Sequence, residues 1–260
     1  MDSVRKFYDD LSGDYDLIFE DWDASIRRQS NILNKLIRNY FNQPFRELKL
    51  LDCSCGIGTQ AIGLALLGYD VHATDLSPSA ISRAKKEAYR LGANLTFGVA
   101  DFRLLKEVSG KFNVLISCDN SLPHLLNDDD LNKALRNIWD KLESGGLFLA
   151  SIRDYDQLLK EKPRATIPVA YDDHKGKRLV FQVWDWEKDN NNNNNIYTLE
   201  HFIVKKYGDE WRTSSRLTTY RAILRCELSR LLSETGFTDM LWYLPEETGY
   251  YQPIITGRKI

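Results

Sequence analysis

No stretch of this chain approaches the roughly 20 consecutive apolar residues that span a bilayer. The opening Met1-Asp2-Ser3-Val4-Arg5-Lys6 also lacks the apolar core of a secretory signal. A membrane partner is therefore not expected, and a cytoplasmic location is. Cysteine is scarce: Cys53, Cys55, Cys118 and Cys226 show neither a disulfide framework nor two-pair zinc spacing. No metal is expected, and Cys53-Ser54-Cys55 reads as small buried residues beside a glycine turn rather than a redox pair. Charge of one sign is missing too. A net charge of −2, a pI near 6.1 and no basic stripe leave no electrostatic footprint for DNA or RNA. A small-molecule substrate is favoured. What remains is 260 residues, 43% of them hydrophobic, enough for one α/β core plus an elaboration.

The chain is organised around Leu50-Leu51-Asp52-Cys53-Ser54-Cys55-Gly56-Ile57-Gly58-Thr59-Gln60. An apolar run stops at an acid, two glycines follow, and Ala61, Ile62, Leu64, Ala65 and Leu66 read as a helix packed on a sheet. Glycine lets backbone bend sharply and approach a ligand, and the following helix offers free N–H groups there. A second apolar run, Tyr69 to Thr74, ends at Asp75, where a carboxylate would grip both hydroxyls of a ribose. Two cofactor classes fit such a nucleoside site. Gly56-Ile57-Gly58-Thr59-Gln60-Ala61 satisfies the dinucleotide fingerprint, with Asp75 about 20 residues on as NAD requires. Asp52 argues the other way, because a carboxylate at the loop mouth repels pyrophosphate and attracts an ammonium. S-adenosylmethionine carries an ammonium and a sulfonium, and is the expected cofactor; an NAD-linked oxidoreductase is the alternative.

The first forty residues interleave Phe7, Tyr8, Tyr15, Phe19 and Trp22 with acids, which fits a lid over the cofactor or a cap on the sheet edge. Arg27 and Arg28 then open a helix reaching Tyr40, and either guanidinium could meet the donor's carboxylate. Ser77 caps a helix with Pro78 in its first turn, running to Leu91-Gly92. The strand from Leu95 to Ala100 delivers Asp101-Phe102, so Asp52, Asp75 and Asp101 share one crevice at the carboxyl ends of parallel strands. Asp101 would accept from an adenine amino group with Phe102 against the ring, unless it serves as a helix N-cap.

The strand Phe112 to Ser117 brings Cys118-Asp119-Asn120-Ser121-Leu122-Pro123-His124 to the same edge. Asn120 offers two donors and an acceptor there, whereas His124 reads as a packed side chain with one backbone hydrogen bond. A helix follows from Asp128 to Leu142, with Gly145-Gly146 as its stop, and then a central strand, Leu147 to Ile152. Arg153, launched from that strand, is placed to hold a carboxylate bidentately; an ion pair with Asp154 or Asp156 is the alternative. From Leu158 to about Tyr220 the period changes from 3.6 to 2, as in antiparallel strands, with Asn190 to Asn195 as a hairpin tip. A helix from Leu224 to Thr235 and two terminal strands suit an antiparallel edge hairpin.

The expected fold is thus α/β: a doubly wound, seven-stranded, mostly parallel sheet with a small antiparallel β-meander insertion. Residues 1–46 form the N-terminal segment and helix, 47–157 with 221–260 the cofactor-binding core, and 158–220 the cover.

With these residues in place, the chain resembles the class I S-adenosylmethionine-dependent methyltransferases. Leu51 to Thr59, Thr74-Asp75-Leu76-Ser77 and Ala100-Asp101-Phe102 carry that likeness. Cys118 to Leu125 and Gly145 to Asp156 narrow it to the glycine/sarcosine N-methyltransferases. The resemblance implies that Asn120 and Arg153 contact an amino-acid substrate, Arg153 through its carboxylate, and that Tyr171 faces the same pocket. The donor-binding set then comprises Tyr15, Trp22, Arg28, Asp52, Cys53, Gly56, Thr59, Asp75, Leu76, Ser77, Ala100, Asp101, Phe102 and Cys118. Two positions depart from the family: Asp119 stands where mammalian members carry glycine, and His201 near an expected tyrosine. The implied reaction is in-line transfer of the sulfonium methyl to the amine of glycine or sarcosine. Another small acceptor is the alternative within the class, and a homo-oligomer is compatible with the sequence.

Overall fold

The computed structural model describes residues 2–186 and 195–260. Except for Asn195, the asparagine run read as a hairpin tip lies outside the described residues.

The chain opens with α1 (Asp2–Leu11), a single 3₁₀ turn (Tyr15–Ile18) and α2 (Trp22–Arg38). α2 starts five residues earlier than the Arg27–Arg28 pair suggests, because Asp21 caps it, its side chain accepting from the Ala24 N–H at 2.9 Å. Strands and helices then alternate: β1 (Lys49–Asp52), α3 (Thr59–Leu66), β2 (Asp70–Asp75), α4 (Pro78–Leu91), β3 (Thr96–Val99), β4 (Phe112–Ser117), α5 (Asp128–Lys141) and β5 (Leu142–Ser151). Ser77 caps α4 as expected, and Gly92 ends it in the left-handed conformation. Gly145-Gly146 is not the stop of α5. That helix runs directly into β5, and the glycines lie inside the strand.

α6 (Tyr155–Glu161) leads into β6 (Val169–Asp173), β7 (Gly176–Trp186), β8 (Ile196–Tyr207) and β9 (Glu210–Arg221). These four form a separate antiparallel sheet in chain order. The chain closes with α7 (Arg225–Thr235), β10 (Thr238–Tyr243), α8 (Pro245–Thr248) and β11 (Ile254–Arg258).

The main sheet has the order β10-β11-β5-β4-β1-β2-β3, with β1 to β5 parallel and the terminal hairpin antiparallel. β1 lies at the centre between β2 and β4, with Leu50 and Leu51 fully buried. This burial on both faces explains its continuous apolar run. The order reverses between β1 and β4, so a crevice opens at the carboxyl ends of those strands, where Asp52 and Cys118 sit. The N-terminal segment bridges the two sheets: Phe7, Leu11 and Leu17 pack against Val180 and Ile203 of the antiparallel sheet. Asp9 reaches the start of α4, accepting from the Ser77 hydroxyl and the Ser79 N–H.

Candidate active site

Two adjoining cavities occupy the crevice. The first, of about 590 Å³, is lined by the loop after β1 and by Asp75, Phe102 and Tyr15. The second, about 1160 Å³, lies between that edge and the antiparallel sheet and holds Asn120, Arg153, Tyr171 and His201. Tyr8, Tyr15 and Asp119 belong to both walls.

In the first cavity Gly56 and Gly58 both have positive φ, 54° and 97°, and the turn swings the chain from β1 into α3. A Cβ on Gly58 would lie 2.7 Å from Ile62 Cδ1, so any side chain there would force Ile62 to shift in addition to straining the left-handed backbone. Asp75 braces this turn: one carboxylate oxygen accepts from the Gly56 N–H at 2.8 Å and the other from the Ser77 N–H at 2.9 Å. Each oxygen keeps a second lone pair for a ligand hydroxyl. Burial raises the Asp75 pKa above the usual carboxylate value, against these hydrogen bonds.

Of the sequence-derived donor set, Tyr15, Cys53, Gly56, Thr59, Asp75, Leu76 and Phe102 line this cavity. The others are placed elsewhere. Asp52 is 1% exposed beneath the loop and lines neither cavity; one oxygen accepts from the Ser54 N–H and the other has no partner. Burial pushes its pKa well up, and from beneath the loop it holds the turn through the Ser54 N–H. Trp22 is buried behind the turn, its indole N–H donating to Thr59 Oγ1 at 3.0 Å. Arg28 is exposed, because α2 buries Trp22, Ile26, Gln29 and Leu33 on its inward stripe and turns Arg27 and Arg28 away. Its neighbour Gln29 is the inward residue, accepting from Gln60 and Tyr250 with its own amide nitrogen unpartnered.

Ser77 serves the α4 cap. Ala100 and Cys118 are buried outside the cavity lining. Asp101 is held by the Arg103 guanidinium, which reaches both of its oxygens at 2.6 to 3.1 Å. An adenine amino group would compete with that ion pair.

The second cavity brings together all three residues expected at the acceptor. Arg153 has no carboxylate partner among the described residues; Asp154 and Asp156 pair instead with Arg225. Its guanidinium lies between the rings of Trp184 and Tyr220, at 4.8 and 5.0 Å, and donates from Nη1 to the Tyr197 hydroxyl at 2.8 Å. Aromatic faces hold a cation without neutralising it, which leaves the charge for a ligand. Asn120 is 2% exposed. Its carbonyl oxygen accepts from the Arg153 N–H and the Tyr155 hydroxyl, while its amide nitrogen has no partner. Tyr171 lies under the Arg178 guanidinium at 4.7 Å.

Asp119 and Asn120 are consecutive non-glycine residues with φ of 58° and 66°. Such left-handed residues cost on the order of 1 kcal/mol or more each and persist where the surroundings enforce them. Here Ser151 does so, receiving the Asp119 N–H on its hydroxyl and the Asn120 N–H on its carbonyl. The glycine that mammalian members carry at position 119 is the one sequence sign of this backbone, and aspartate and asparagine are the non-glycine residues that tolerate it best.

Two histidines complete the lining. His124 is 5% exposed, with Nδ1 at 3.3 Å from the Thr219 carbonyl and Nε2 at 2.9 Å from the Tyr8 hydroxyl. A carbonyl only accepts, so Nδ1 carries the proton and Nε2 accepts from the Tyr8 hydroxyl. The ring makes one bond more than expected. Burial lowers its pKa to about 3. His201, 6% exposed, accepts on Nδ1 from Gln182 at 3.3 Å, and its Nε2 has no partner. Burial lowers its pKa to about 4, with the Arg153 charge acting in the same direction.

Known proteins resemble this chain in sequence and in fold. A family model described as a methyltransferase domain matches residues 50–146. The glycine/sarcosine N-methyltransferase of Parasynechococcus marenigrum (strain WH8102) is 28% identical over 157 residues, 60% of this chain and 54% of the relative. That of Aphanothece halophytica is 29% identical over 205 residues, 78% and 71% of the two chains. The chain spans about half the length of the first curated relatives it matches. Among solved structures, the sugar N-methyltransferase KedS8 from Streptoalloteichus shares the fold, with a TM-score of 0.73, 15% identity, and 95% and 93% of the two chains covered. These matches favour S-adenosylmethionine over a nicotinamide dinucleotide. In the loop after β1, the seven-stranded sheet and these relatives, the chain resembles the class I S-adenosylmethionine-dependent methyltransferases, and within them the glycine/sarcosine N-methyltransferases.

Proposed function

We propose that the protein transfers the methyl group of S-adenosylmethionine to the nitrogen of a small carboxylated amine, glycine or sarcosine. The observation that carries this reading is Arg153: a buried-edge cation in the second cavity, sandwiched by two aromatic rings and lacking any carboxylate partner among the described residues. A ligand carboxylate is the partner its planar fork fits. The unpartnered nitrogens of Asn120 and His201 add two donors in the same cavity. The nucleoside end of the donor would lie in the first cavity, with Asp75 on the ribose and Phe102 against the base. Trp22 acts on the donor site only indirectly, through Thr59.

The reaction is an in-line displacement. The amine attacks the methyl carbon, the carbon–sulfur bond breaks, and positive charge passes from sulfur to nitrogen. The protein's part is alignment and exclusion of water, and positioning alone supplies roughly 7–11 kcal/mol in well-oriented bimolecular reactions. The test is transfer of radiolabelled methyl from S-adenosylmethionine across a panel of small acceptors. Turnover of glycine or sarcosine, with little on amines lacking a carboxylate, is the expected result. Preference for an uncharged amine or a hydroxyl would overturn the reading.

A further inference from the structure

An amino-acid acceptor reaches an enzyme at neutral pH mainly as an ammonium, which has no lone pair to attack with. Some group must take that proton. Among the described residues, only three side chains belong to the walls of both cavities, Tyr8, Tyr15 and Asp119. Burial drives both tyrosine hydroxyls well above their ordinary pKa, so neither accepts a proton. Asp119 is the remaining group, and it is held with unusual care. Its backbone is fixed in the left-handed region by Ser151, and one oxygen, Oδ1, receives both the Tyr250 hydroxyl at 3.2 Å and the Tyr251 hydroxyl. The neighbouring Asn120 amide nitrogen is buried and unpartnered beside it.

We propose that Asp119 is the proton acceptor for the acceptor ammonium, standing where the methyl crosses from one cavity to the other. This rests on the amine reading above. The nitrogen–hydrogen bond breaks as an oxygen–hydrogen bond forms on Asp119. The freed lone pair then takes the methyl, and the electrons of the carbon–sulfur bond stay on sulfur as a neutral thioether. The product nitrogen is again cationic, and Asp119 returns its proton to water when the products leave. The groups facing Asp119 are Asp52 and Cys118 on the donor side, Tyr15 and Tyr220 across the cavities, Tyr250, Tyr251 and Gln60 on its carboxylate, and Arg153 on the acceptor wall. Burial raises the Asp119 pKa, which makes the carboxylate a stronger base, and the hydrogen bonds from Tyr251, Gln60 and Tyr250 oppose that rise.

The test compares wild type, Asp119→Asn and Tyr251→Phe in kcat/KM against pH, with sinefungin affinity measured by calorimetry. Asp119→Asn is expected to bind sinefungin within about twofold of wild type and to lose about 10²- to 10³-fold in turnover at neutral pH. Its kcat/KM should climb about tenfold per pH unit toward the pKa of the free amine, because only neutral amine then reacts. Wild type should instead level off above a lower-pH limb. Tyr251→Phe removes a donor that favours the carboxylate, so that limb should move to higher pH. Identical pH profiles for wild type and Asp119→Asn would overturn the proposal. So would a loss of about tenfold or more in sinefungin affinity with an unchanged profile, which would assign Asp119 to the donor's ammonium. If wild type ignores glycine and sarcosine, the amino-acid reading fails, and the comparison proceeds on whichever amine the acceptor panel returns. Absence of transfer to any amine overturns both.

Discussion

Arg153 and the two buried histidines show how single side chains set the chemistry of the two cavities, His124 in the first and Arg153 with His201 in the second. Lysine at position 153 keeps the charge but loses the planar fork and the stacking between Trp184 and Tyr220. Arg153→Lys should therefore raise KM for the acceptor about 10- to 100-fold, the cost of one bidentate charge-assisted pair, with donor affinity little changed. Steady-state kinetics with calorimetric donor titration separate the two effects. The histidines make a different prediction. With pKa values lowered to about 3 and about 4, both take up a proton only in strong acid, whereas exposed histidine titrates near 6.5. From pH 8 down to pH 5, nitrogen-15 spectra should show both rings neutral, His124 protonated on Nδ1 and His201 on Nε2. Titration of either ring near pH 6.5 would show that it is open to solvent. Arg153 could be read from its position at the end of an apolar strand, but the tautomers could not. They depend on Thr219 and Gln182, which lie 95 and 19 residues away in the chain.

The loop between β1 and α3 was legible because it is local. An apolar run, an acid and two spaced glycines specify strand, turn and helix within eleven residues, and the structure has them in that order. Gly58→Ala should cost about 1–3 kcal/mol of stability through its left-handed φ and the Ile62 contact, and should weaken sinefungin binding. Denaturant melts and calorimetry would check both. The N-terminal elements were harder to read. The sequence pattern opens α2 at Arg27, whereas Asp21 supplies the cap, so the two arginines lie on the helix's outer face and not at its mouth. Contacts of α1 span still longer separations: Asp9 meets Ser77 and Ser79, which nothing local to either segment indicates. Asp9→Ala should free α1 from α4 and speed hydrogen exchange in residues 2–11 more than in β1. Unchanged exchange in α1 would show that its apolar contacts alone hold it.

Across the whole molecule, the N-terminal segment ties the antiparallel sheet to the seven-stranded sheet alongside their direct contacts, and Arg178 is its central bolt. Its side chain is fully buried, donating to the carbonyls of Leu17 and Phe19 and pairing with both oxygens of Asp173. Arg178→Ala should destabilise the protein by about 3 kcal/mol, since it strands those carbonyls and one carboxylate, and urea unfolding would measure it. Hydrogen bonding from the Arg178 guanidinium holds the Asp173 carboxyl down to about 2. A depressed acid stabilises the fold above its unfolded value near 3.8, and that contribution is lost as pH falls from about 4 to about 2. The seven-stranded sheet could be deduced from periodicity, but this joint could not, because Arg178 reads as an ordinary strand residue until the partner carbonyls are brought to it. The stacking of Trp184 on Arg153 has a practical corollary. An indole resting on a cation reports the electric field around it, so neutralisation of that cation by an arriving carboxylate should shift tryptophan emission, allowing acceptor capture to be timed in a stopped-flow instrument without any label.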